Sequence, residues 1–138
     1  CIGFYGTYTY THTKVNNFNF EGRENEKDLS LPGSPEHTAN ASLYFEKKGF
    51  NVRLSYNYAS SFIDEMGEVA ALDRYYDAVN YMDLNASYTF GKKIKTTFYA
   101  DATNLLNQPL RYYQGVKDRT MQSEHYGVKI NAGVKVNF

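Results

Sequence analysis

The residues with chemical potential are few and scattered. Three histidines, His12, His37 and His125, lie in separate segments. No Ser/His/Asp grouping and no metal-ligand spacing recurs around them, so neither a nucleophilic triad nor a zinc-type set is expected. The single cysteine, Cys1, has neither a disulfide partner nor a neighbour that would make it a nucleophile. Covalent catalysis and cofactors are therefore not expected, and recognition remains. Two stretches, Asp64-Glu-Met-Gly-Glu68 and Asp73-Arg-Tyr-Tyr-Asp77, gather five carboxylates around an aromatic pair. Hard cations take carboxylate oxygens, but this spacing fits no EF-hand, and charged loops are ordinarily just solvated. Asp64, Arg74, Tyr75, Tyr76, Arg111 and Tyr112 mix aromatic and charged groups that could touch a glycan or a siderophore. The plainer reading of the same residues is loop packing and an interfacial girdle.

The elements that would carry them repeat with a period of two. From Tyr126 to Phe138, Tyr126, Val128, Ile130, Ala132, Val134, Val136 and Phe138 alternate with Gly127, Lys129, Asn131, Gly133, Lys135 and Asn137. In a strand this makes one apolar face and one hydrated face. Six such segments are expected, at about 2–14, 37–46, 50–60, 80–90, 94–115 and 120–138. The fifth should carry a bulge at Leu105-Leu106, where two adjacent apolar residues break the alternation. Residues 15–36 and 61–79 read as long polar loops, whereas 47–49, 91–93 and 116–119 read as turns. Short turns at 47–49 and 91–93 fall on one edge and the long loops on the other, the asymmetry of outer-membrane barrels.

Totals bound the classes. The 138 residues carry no net charge, and the pI is near 7, so no basic field points to nucleic acid. Mean hydropathy is −0.60, and no apolar run is long enough for a membrane helix. A barrel strand needs only alternate apolar residues, so a polar average is compatible with a membrane barrel. Tyrosine supplies fourteen of the aromatics and phenylalanine nine, which suits strands and an interfacial girdle.

The polar column Arg53, Asp83, Asp101, Lys129 and Lys135, with Asn51, Ser55, Asn57, Asn85 and Asn131, would face a lumen. An Asp101–Lys135 ion pair across the last two strands would hold a plug more than it holds the barrel. Two Asn-x-Ser patterns, at Asn40 and Asn85, fall within strands and face that lumen, so glycosylation is not expected. Six strands cannot close a barrel, whose usual minimum is about eight, and bare sheet edges are not tolerated in lipid. Cys1 could mark a lipidated terminus, but strand pattern follows it with no tether. The chain thus reads as all-β: an antiparallel segment of a larger transmembrane β-barrel.

Asp101-Ala-Thr-Asn-Leu-Leu-Asn107, then Pro109-Leu-Arg-Tyr-Tyr-Gln-Gly115 and a final strand ending on Phe138, resemble the C-terminal region of TonB-dependent receptors. Leu31-Pro-Gly-Ser-Pro-Glu-His-Thr-Ala-Asn40 and Tyr56-Asn-Tyr-Ala-Ser-Ser-Phe62 are similar to the same family, nearest to receptors of Bacteroidetes-type Gram-negative bacteria. The resemblance spans 1–138 and implies the C-terminal part of a barrel of about 22 strands. It also implies an outer-membrane location with a periplasmic C-terminus. The plug domain and TonB box, which belong to the family's N-terminal region, do not occur in these residues. Implied partners are outer-membrane lipid, the plug, the remaining strands, TonB through the N-terminal region, and a surface lipoprotein. The implied activity is import of a bulky nutrient: siderophore, cobalamin, oligosaccharide or peptide. Other readings of the same strands are an accessory component of an outer-membrane complex and a secreted soluble β-sandwich.

Overall fold

The computed structural model describes residues 1–15, 21–27 and 29–138; part of the expected first loop, residues 16–20 and 28, lies outside the described residues. Six strands form one antiparallel sheet: β1 (Ile2–Tyr10), β2 (His37–Lys47), β3 (Phe50–Ala59), β6 (Val79–Phe90), β7 (Lys95–Thr103) and β10 (Lys129–Asn137). They lie in that order, each paired with its neighbour. Four shorter strands form a second sheet in the order β4 (Phe62–Glu65), β5 (Arg74–Tyr76), β8 (Leu110–Gln114) and β9 (Thr120–Glu124). β4 follows β3, β5 precedes β6, β8 follows β7 and β9 precedes β10. The smaller sheet therefore repeats the order of the strands it extends.

Register decides what shares a face, because directly opposed residues in an antiparallel pair project to the same side. Phe4 opposes Leu43, which opposes Leu54, which opposes Leu84, then Ala102, then Ile130. One row lower, Phe45, Val52, Ala86, Ala100 and Ala132 continue the same face. The reverse face carries Ser42, Ser55 and Asp83 in one row, and Arg53, Asn85, Asp101 and Asn131 in another. The six-stranded sheet is thus apolar on one side and polar on the other across its width. Among the described residues nothing covers the apolar side: Phe4 is 73% exposed and Ile130 71%. Among the described residues the only buried apolar side chains are Ile63 and Tyr113, both in the smaller sheet. A soluble sandwich would bury this face against a second sheet; here it is left for another medium.

The last two expected strands each divide. The Leu105-Leu106 site is not a bulge within one strand but a turn that separates β7 from β8. Asn104 and Asn107 adopt left-handed φ values of 57° and 52°, and the Asn107 N–H donates to the Asn104 carbonyl at 2.8 Å. Asn tolerates that region better than other non-glycine residues, which suits this segment. Asn104 then joins three neighbours through four hydrogen bonds. Its N–H donates to Asp83 Oδ1 (2.9 Å), its Oδ1 accepts the Gln108 N–H (2.8 Å), and its Nδ2 donates to the Gln108 and Gly127 carbonyls (3.1 and 3.2 Å). The expected strand 120–138 breaks in the same way between Glu124 and Lys129, where Gly127 has φ of 76°. Tyr126 and Val128 therefore lie outside β10. The expected loop 61–79 holds β4, a single 3-10 turn (Ala70–Leu72) and β5. β1 stops at Tyr10, although Thr11 and Val15 still donate to the Glu36 and Leu29 carbonyls (2.8 and 3.0 Å). The turns at 47–49 and 91–94 lie side by side on the opposite edge, with the Thr89 N–H donating to the Gly49 carbonyl (2.8 Å).

Candidate functional site

The smaller sheet collects the carboxylates and tyrosines, and its alternation sorts them onto two faces. Arg74 opposes Gln114, Tyr75 opposes Tyr113 and Tyr76 opposes Tyr112. Arg74, Tyr76 and Tyr112 consequently share one face, and Tyr75 takes the other with Tyr113 and Arg111. On the first face, Arg74 donates through Nε and Nη2 to Asp64 Oδ2 (2.8 and 2.6 Å), and its Nη1 lies 3.0 Å from Glu65 Oε2. Asp64, the nearer carboxylate, raises the already high Arg74 pKa. The guanidinium sits over the Tyr112 ring at 5.4 Å, and Tyr112 meets Tyr76 edge-on at 5.2 Å. Burial, with the neighbouring Tyr81 hydroxyl second, pushes the Tyr76 phenol up to about 12. A cleft of about 280 Å³ is lined by Arg74, Leu110, Tyr112, Gln122 and Glu124. Glu124 accepts from Tyr126 and Gln122, which holds its carboxyl below the usual range and raises the Tyr126 phenol.

The reverse face is packing. Tyr75 stacks on Tyr113 with centroids 5.0 Å apart and planes 4° apart, and desolvation raises the Tyr75 phenol. Arg111 Nη1 donates to Asp77 Oδ2 at 2.5 Å, its Nε and Nη2 donate to Thr120 Oγ1, and the guanidinium covers the Tyr113 ring at 5.7 Å. Of the six expected ligand contacts, Asp64, Arg74, Tyr76 and Tyr112 come together. Tyr75 and Arg111 do not join them.

Arg23 was not expected to matter. It is 1% exposed, and so is Asp73, fifty positions away in sequence. All five guanidinium N–H groups are used: Nε and Nη2 donate to the two Glu26 oxygens (2.9 and 2.7 Å). Nη1 and Nη2 donate to the two Asp73 oxygens (2.5 and 2.9 Å), and Nη1 also reaches the Gly67 carbonyl (2.9 Å). Asp73 first and Glu26 second drive the Arg23 pKa further above its ordinary value. Asp73 in turn accepts the Gly67 N–H at 2.9 Å. The long connection between β1 and β2 is thereby clamped to the β4–β5 connection. Only one sequence signal was available: a lone arginine among Glu21, Glu24 and Glu26. Four of the five carboxylates that suggested a cation are instead matched to arginines, Asp64 and Glu65 to Arg74, Asp73 to Arg23 and Asp77 to Arg111. Among the described residues no group of three or more His, Cys, Asp or Glu is arranged to hold a metal ion.

In the large sheet, Arg53, Asp83, Asp101, Lys129 and Lys135 all lie on the polar face. The expected Asp101–Lys135 pair does not form. Asp101 opposes Asn131 and accepts from Asn85, while Lys135 opposes Thr97, because the register offsets the two charges by four positions along β10. Arg53 covers the Tyr44 ring at 5.9 Å, and a hollow of about 360 Å³ is lined by Arg53, Ser55, Asp83, Asn85, Asp101 and Thr103.

A family model described as "TonB dependent receptor-like, beta-barrel" matches residues 2–105. The chain belongs to the TonB-dependent receptor family. No curated protein and no solved structure matches it. The matched residues cover β1 to β7, and β10 joins them through its full register with β7. TonB-dependent receptors are outer-membrane β-barrel transporters, so the uncovered apolar face is barrel wall, and the soluble-sandwich reading fails.

Two outcomes follow for the smaller sheet. Removing one partner of a buried ion pair leaves the other charge uncompensated, at about 3–5 kcal/mol. Arg23→Met and Asp73→Leu should each expose residues 21–36 to proteolysis, and the double variant should be less damaged than either; additive damage would contradict the clamp. Tyr76 keeps its proton through a range where the unfolded chain, with an ordinary phenol near 10, has lost it. Its contribution is complete below pH 10 and falls as pH rises toward about 12. Tyr76→Phe should flatten that alkaline loss in unfolding measurements at pH 9 and pH 11, and an unchanged slope would exclude a part for Tyr76.

Proposed function

We propose that this chain is the C-terminal part of the barrel of a receptor that imports a bulky nutrient with energy transduced through TonB. The reading is carried by one observation: a six-stranded sheet in unbroken register, predominantly apolar on one face and polar on the other, within this family. Lipid meets the apolar face, and Arg53, Asp83, Asp101, Lys129 and Lys135 line the lumen, where a plug from the N-terminal region sits. The side chains of that wall contact the plug by hydrogen bonds and single charges rather than by an Asp101–Lys135 bridge. The tight turns at 47–49 and 91–94 are periplasmic, as is the end of β10, and the smaller sheet stands on the extracellular side. There the Asp64–Arg74–Tyr76–Tyr112 face, with Gln122 and Glu124, meets the nutrient before it passes the plug. A surface lipoprotein partner would approach the same side.

The full-length receptor, supplied to cells with ferric siderophore, cobalamin, oligosaccharide or peptide in turn, should accumulate one class. That accumulation should collapse when TonB is removed. Accumulation that persists without TonB, or none of any class beside a stable multiprotein assembly, would favour the accessory-component reading instead.

A further inference from the structure

The edge opposite the carboxylate-rich sheet has the reverse charge. The turns at 47–49 and 91–94 carry Lys47, Lys48, Lys92 and Lys93, and all four are exposed. From Ser42 to Arg53 and from Tyr88 to Thr97 the sole carboxylate is Glu46. None of the four lysines is in an ion pair among the described residues. The Gly49–Thr89 hydrogen bond sets the two turns side by side, so the charges form one group. Bordering them on the apolar face is a band of rings, with Phe45–Phe50 centroids 6.1 Å apart and Tyr88–Phe90 and Phe90–Phe98 each 5.8 Å apart. Lys47 belongs to the apolar face itself, opposite Phe50.

We infer that this edge is a docking surface for anionic phospholipid headgroups of the adjoining leaflet. Aliphatic wall, aromatic band and ammonium groups succeed one another in the order in which a bilayer presents acyl chains, glycerol region and phosphates. A lysine at the end of an apolar face keeps its stem along the hydrocarbon and extends its head to the phosphate level. An acidic protein partner would gain nothing from a lysine set on the lipid side of the wall. The inference rests on the barrel orientation proposed above.

The test uses the full-length receptor in vesicles of phosphatidylethanolamine alone or mixed with phosphatidylglycerol. Lipids retained after extraction are counted by native mass spectrometry, and barrel folding is followed separately by heat-modifiable gel mobility. The wild type should retain phosphatidylglycerol in excess of its share of the vesicle, and more so at low salt. Each lysine replaced should reduce that preference about fivefold. K47Q/K48Q and K92Q/K93Q should each lose part of it, and the quadruple variant nearly all. Equal preference in variant and wild type would overturn the assignment. So would loss of the preference to competing inorganic phosphate, which would mark a free-anion site, or to soluble polyglutamate, which would mark a protein site. A receptor that folds as a barrel without preferring phosphatidylglycerol would overturn the headgroup site alone. One that never becomes a heat-modifiable barrel would overturn the barrel reading along with it.

Discussion

Lipid supplies no hydrogen bonds, so a polypeptide wall inside it must pair every backbone group with a neighbouring strand and fix its register in doing so. The remaining features of the large sheet follow from that constraint. Leu43, Leu54, Leu84, Ala102 and Ile130 share a face only because each strand is held in one register with the next. A slip of one residue would turn Arg53 and Asp101 toward hydrocarbon. Small residues take part as well. Gly133 opposes Tyr99 and Gly3 opposes Tyr44, and each ring lies across its glycine at a distance that a Cβ would violate. The polar face thus carries tyrosine rings laid flat along the wall.

Above the wall the constraint relaxes, and the chain changes its means of support. Asn104 and Gly127 interrupt β7–β8 and β9–β10 near the same level, and the Asn104 amide bridges the two breaks. Beyond them water is available, so charged groups can be brought together. Arginine does so with its planar fork: Arg74 on Asp64, Arg111 on Asp77 and Arg23 on two carboxylates at once. The Arg23 clamp is dry and fully paired, which is the condition under which a buried ion pair is tolerated and its disruption is costly. It binds the β1–β2 connection to the β4–β5 connection. The face that carries Asp64, Arg74, Tyr76 and Tyr112 and the loop beside it are therefore positioned together.

What the sequence disclosed was what depends on side-chain parity. β2, β3 and β6 match the alternation read from the residues to within a residue or so, since burial on one side writes a period of two directly into the chain. Parity also placed Arg53, Asp83, Asp101, Lys129 and Lys135 on one side. It could not set relative register, which is why Asp101 lies beside Asn131 and not Lys135. The division of the last two strands depends on left-handed backbone at Asn104, Asn107 and Gly127, which alternation does not record. Arg74, Tyr75 and Tyr76 are consecutive, so a strand had to split them between faces, yet grouping them by chemistry concealed this. Arg23 and Asp73 lie fifty positions apart in segments that resemble solvated loops, and no local pattern connects them.

A barrel wall requires that one face of the sheet meet lipid and the other meet water. Val134 and Asn131 lie on opposite faces of the same strand, three residues apart. Equilibrium unfolding of the full-length receptor in lipid vesicles should show Val134→Arg destabilising by about 2–4 kcal/mol if the residue is near mid-membrane. Asn131→Arg should cost well under that. Equal costs at the two positions, or a larger cost at Asn131, would contradict the assignment of the faces.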